Sequence, residues 1–98
     1  MDITSFRTTL TEAAPPAALP LAVQALWWDA TGNWDAAHRC AQDQDDAAGA
    51  AVHAYLHRRE GDLPNARSWY LRAGRPEATG PLDEEWISLA TELLSEPQ

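Results

Sequence analysis

Apolar residues in this chain recur at intervals of three and four and never alternate over a useful length, so each periodic segment predicts a helix. Ile3, Phe6, Leu10 and Ala13 form the first stripe, with Asp2 or Thr4 as its cap and Pro15-Pro16 as its end. Pro20 falls in the first turn of a second helix, where its missing N–H costs nothing. Val23, Leu26, Trp27 and Ala30 make that helix's stripe, and Gly32 stops it. Asn33 is a favourable N-cap for a third helix, which carries Trp34, Ala37 and Ala41 on one side. The polar run Gln42-Asp43-Gln44-Asp45-Asp46 reads as a loop, and its last Asp residues suit the next N-terminus.

The fourth helix, about 47–60, is apolar nearly all round, from Ala47 through Val52 to Leu56. Such a helix is expected between neighbours rather than on the surface. Gly61 ends it, and Asp62 caps a fifth with Leu63, Ala66, Tyr70 and Ala73 on one face. Gly74 and Pro76 close that helix, and a loop through Gly80-Pro81 leads to a last one at about 82–95. Asp83, Glu84 and Glu85 occupy its first turn, where the helix dipole favours negative charge. The pattern predicts an all-α fold of six helices, with turns near 15–19, 32–33, 42–46, 61–62 and 75–81.

Two stretches repeat one design twenty-nine residues apart. Gly32-Asn33-Trp34-x-x-Ala37 and Gly61-Asp62-Leu63-x-x-Ala66 each stop a helix at Gly and place a large apolar residue and an Ala after a capping residue. Small Ala25 and Ala54 stand seven residues before each Gly. A fixed period of this size marks stacked helical hairpins, because one hairpin cannot bury its apolar face alone. Over roughly residues 18–78 the chain resembles the tetratricopeptide repeat, and His53 to Pro76 is also similar to short bacterial proteins. The resemblance implies an α-α superhelix of about two hairpins, 18–46 and 47–78. An N-terminal helix within 1–14 and a C-terminal capping helix at 81–95 would complete a single domain, 1–98. It also implies a groove lined by the first helix of each pair, with Leu26, Asp29 and Ala30 from one and Tyr55, Arg58 and Arg59 from the other.

Composition narrows the function classes. The length fits one domain, and of the 45% apolar residues nineteen are Ala, so burial energy falls on five Trp, two Tyr, one Phe and the branched aliphatics. At least one of the adjacent Trp27 and Trp28 must be partly exposed, since neighbours on a helix point about 100° apart. Net charge is −8 without a single Lys, which argues against nucleic acid or anionic membrane as a partner. Cys40 is alone, so no intrachain disulfide forms. No signal-like start or long apolar run is present, and a cytoplasmic location is expected. The Ala/Arg-rich, Lys-free usage suggests a GC-rich bacterial source.

Two constellations carry candidate chemistry. His53 and His57 share a helix face, with Glu60 one turn on. An i, i+4 histidine pair can ligate zinc or nickel, but the Glu of a His-Glu-x-x-His metalloprotease is replaced by Ala54. A third ligand would have to come from His38 or a carboxylate, and two histidines hydrogen-bonded at a helix interface are the simpler expectation. Arg58, Arg59, Arg67, Arg72 and Arg75 gather five of seven cations in one hairpin of an acidic chain. Arg forks suit carboxylates and phosphates, although pairing with Asp29, Glu60 or Asp62 is the simpler alternative. No phosphate loop or nucleophile elbow occurs, and no catalytic residue or cofactor is expected. The leading expectation is a non-catalytic module that binds a protein or acidic peptide through Tyr55, Arg58, Arg59, Asp29, Leu26 and an apolar anchor, Trp27. Alternatives are a metal-binding protein using His53, His57 and Glu60, or a structural subunit that self-associates through Ile87 and Leu94 of the last helix.

Overall fold

A computed structural model describes residues 1–95. The elements are α1 (Ile3–Thr8), a 3-10 turn (Thr9–Thr11), α2 (Leu21–Ala30), α3 (Trp34–Asp43), α4 (Ala47–Arg59), α5 (Leu63–Ala73) and α6 (Leu82–Ser95). No strand occurs among the described residues, and none of the helices is long and apolar enough to cross a membrane. The first helix is shorter than its apolar stripe predicts. Thr8, Thr9 and Thr11 turn their hydroxyls back onto the carbonyls of Thr4, Phe6 and Thr8. Threonines that bond their own backbone compete with regular α-helix, so the chain tightens into the 3-10 turn and Ala13 is left exposed.

The caps follow the sequence closely. Asp2, Asn33, Asp46 and Asp62 each accept a hydrogen bond from the backbone N–H three residues on. Pro20 stands at the cap position of α2 and has no side-chain acceptor. Gln44 replaces it from a distance, its Oε1 accepting from Ala22 N–H at 2.7 Å.

The α2–α3 and α4–α5 connections are the same turn twice. Gly32 N–H donates to the Asp29 carbonyl and Asn33 N–H to that of Trp28, while Gly61 and Asp62 donate likewise to Arg58 and His57. Both glycines take a left-handed φ, +89° and +86°, which closes each helix in a Schellman motif. The residue completing that motif is also the N-cap of the next helix. Gly49 answers a different need, because a Cβ there would lie 1.8 Å from the Gln44 carbonyl oxygen.

Helix α4 lies at the centre and packs against α2, α3, α5 and α6, as an all-round apolar helix requires. The main core joins Phe6, Val23, Leu26, Trp27, Val52, Tyr55, Leu56, Trp86, Leu89 and Leu93. Ala54 is fully buried against Ala66 and Tyr70 in a second cluster, and Ala25 is fully buried in the main one. Helix α6 crosses both α2 and α4. Trp86 stacks near Phe6 at 5.8 Å and donates its indole N–H to the Leu26 carbonyl at 2.9 Å.

Candidate functional site

The residues expected to line one groove divide between the core and two separate surfaces. Leu26 and Trp27 are 0% and 1% exposed. Trp27 donates its indole N–H to Thr9 and packs edge-on against half-buried Trp28, so it anchors α2 to the N-terminal turn instead of offering a surface. The face that the resemblance assigns to a groove lies largely under α6.

Arg58 and Arg59 part company for the reason that neighbours on a helix must. Arg58 points toward α6, where it donates to Glu85 at 2.8 Å and to the Gly80 carbonyl. Tyr70 donates its hydroxyl to the same Glu85, so one α6 carboxylate gathers α4 and α5, while Arg58 holds the last loop. Arg59 turns toward α2, with its Nε 3.1 Å from the Asp29 carboxylate. Tyr55 donates to the other Asp29 oxygen at 2.7 Å.

Asp29 is buried, and a carboxylate in that position needs compensation. Burial pushes its carboxyl upward, while the Tyr55 hydroxyl and the Arg59 guanidinium pull it back. Burial and the hydrogen bond to Asp29 push the Tyr55 hydroxyl upward in turn. Above this triad opens a notch of about 400 Å³, bordered by Arg7, Leu10, Asp29, Ala30, Tyr55, Arg59, Asp83, Trp86 and Ile87. The Arg59 side chain is 45% exposed, and Arg7 is exposed with no carboxylate within 4.0 Å among the described residues. Of the other arginines in the cationic hairpin, Arg67 pairs with Glu77 and Arg75 with Glu92, and Arg72 covers the Trp69 ring.

The histidines form the second constellation. His53 and His57 stack on α4 at 4.9 Å between centroids, and His38 of α3 meets His53 edge-on with Nε2 atoms 2.8 Å apart. Trp34 stacks on His38, and Trp69 stacks on His53. Glu60 bonds the Nδ1 of His57 at 2.6 Å and stands behind the ring. The spacing on α4 makes His53 and His57 legible from sequence, but His38 joins through the packing of α3 on α4. Its signal was the second i, i+4 aromatic pair, Trp34 and His38, on the neighbouring helix. Burial, then the charges of His38, His57 and Arg72, bring His53 down to about 4. Burial also lowers His38. The Cys40 thiol is pushed upward by burial and by Asp43, which leaves it a poor nucleophile. Family models, curated proteins and solved structures yield no match to this chain.

Proposed function

We propose that this chain is a non-catalytic binding module whose notch between α1, α2, α4 and α6 receives an acidic segment of a partner protein. The observation that carries the reading is the pair of arginines at the notch beside an apolar wall, of which Ile87 is exposed, Leu10 half-buried and Trp86 the buried floor. Arg7 and Arg59 supply donors, and Leu10, Trp86 and the 37% exposed Ile87 supply the apolar wall. Asp29 and Tyr55 hold the Arg59 fork in place from behind, so little side-chain freedom is lost on binding. A peptide carboxylate with a neighbouring Leu or Phe would find a charge-assisted partner and an apolar seat together. In this reading the two hairpins with matching turns are units of a tetratricopeptide-like stack, and α6 is its capping helix. A location in the cytoplasm fits such a module.

Arg58 provides the internal control, since it lies in the same cationic hairpin but is tied to Glu85. Labelled eight-residue peptides with Leu beside a terminal or side-chain carboxylate, and their counterparts with that carboxylate replaced by an amide, probe the notch by fluorescence anisotropy. The free-carboxylate peptides should bind, more weakly as salt is raised, and Arg7→Gln and Arg59→Gln should each weaken them by about ten-fold. Arg58→Gln should lower stability and leave affinity unchanged. Equal binding of carboxylate and amide forms, or no loss in Arg7→Gln, would remove the reading.

A further inference from the structure

We propose that His38, His53 and His57 form a binding site for a late first-row divalent cation such as zinc. The proposal is independent of the notch, which lies on the side of α4 toward α2 and α6, whereas the histidines face α3 and α5. One ring nitrogen from each of the three histidines lies within 4.8 Å of the others. His53 and His57 come from successive turns of α4, and His38 faces them from α3.

Each ring is already held. Trp34 lies flat against His38, at 4.7 Å and 22°, and Trp69 lies flat against His53, at 3.8 Å and 18°. His57 donates its Nδ1–H to Glu60 at 2.6 Å, and that tautomer leaves the Nε2 lone pair free. A carboxylate behind an imidazole is the usual support for a metal-bound histidine. Glu60 is therefore placed as a positioning residue for His57.

Two polar atoms of the cluster stay outside the proposed coordination. His53 Nδ1 is buried without a partner, as is the Trp34 indole N–H. The single link between His38 and His53 is the 2.8 Å contact of their Nε2 atoms, in which one ring donates and the other accepts. Metal–nitrogen bonds of about 2.0–2.1 Å in a tetrahedron set ligand atoms roughly 3.3 Å apart. The two rings must therefore separate by about half an ångström, within reach of half-buried His38 on its outer helix. On ligation the ring that donates in that contact shifts its proton to its own Nδ1 and presents the Nε2 lone pair.

Three neutral imidazoles with no carboxylate in the first sphere select ions that favour nitrogen, namely zinc, copper or nickel, over magnesium or calcium. Three protein ligands leave the fourth position for water.

Calorimetric titration of the untagged full chain with Zn²⁺ should give one saturable site per chain, and Mg²⁺ should give none. His38→Gln should weaken Zn²⁺ binding by at least about ten-fold, and Glu60→Gln should weaken it by about 10–100-fold. X-ray absorption of the Zn²⁺-loaded protein should count three imidazoles, and it requires no variant to fold. Two or fewer imidazoles in that spectrum would overturn the proposal. So would the absence of a saturable site, equal binding of Mg²⁺, or undiminished affinity in a folded His38→Gln protein.

Discussion

Individual side chains in this molecule are assigned by direction more than by type. Arg58 and Arg59 are chemically identical neighbours, yet one closes the α4–α6 seam and the other neutralises a buried aspartate. Their identity as cations was legible in the sequence; their separate partners were not, because those come from two different elements, α6 and α2, packed against α4. His53 shows the same effect on protonation. The unfolded chain takes up a proton at this residue near the ordinary 6.5, and the folded chain only near 4. Between those values the unfolded state binds more protons, so stability is full above about pH 6.5 and is lost as pH falls toward 4. Urea melts in chelator at pH 7, 6 and 5 should show this loss, with a slope approaching about 1.4 kcal/mol per pH unit for one proton. His53→Gln should flatten the slope. Identical slopes in variant and parent would assign the acid sensitivity to other groups.

Helices and their ends were written plainly in the chain, because propensity, caps and glycine stops all act within a few residues. Asn33, Asp46 and Asp62 cap where the sequence places them, and Gly32 and Gly61 take the left-handed conformation expected of helix stops. Two features were hidden. The threonines after Phe6 divert the first helix into a 3-10 turn, although the apolar spacing runs on to Ala13. His38, which the sequence offers only as one possible third ligand, reaches His53 across fifteen residues through the α3–α4 register, and its spacing within α3 does not encode that contact. Where elements meet closely, small residues set the distance. Ala54 is 0% exposed between α4 and α5, so Ala54→Leu should overpack that seam and cost about 1–3 kcal/mol. A denaturant midpoint equal to the parent's would mean the seam has room to relax.

The whole molecule measures 33 × 27 × 25 Å, far from the elongated shape of a long helical array. Its ends fold over its middle: α1 and α6 meet through Phe6 and Trp86, and α6 also covers α2 and α4. Trp86→Ala would remove that joint together with the hydrogen bond to the Leu26 carbonyl, and a loss of about 3–5 kcal/mol is expected. Urea unfolding followed by far-ultraviolet circular dichroism measures it; a loss below about 1 kcal/mol would show that α6 is a loose cover. The hairpin turns constrain the molecule in another way. Asn33 and Asp62 each finish one helix and begin the next, so neither turn holds a spare residue. One inserted amino acid in either would separate the residue that completes the helix stop from the residue that caps the next helix, shifting His38 or Tyr70 from its partners. The segments around 12–18 and 76–79 carry no such double duty. Insertions, epitope tags and new chain ends should therefore be accepted there and rejected at the glycine turns, which makes those two dipeptides the fixed joints around which this protein's length can vary.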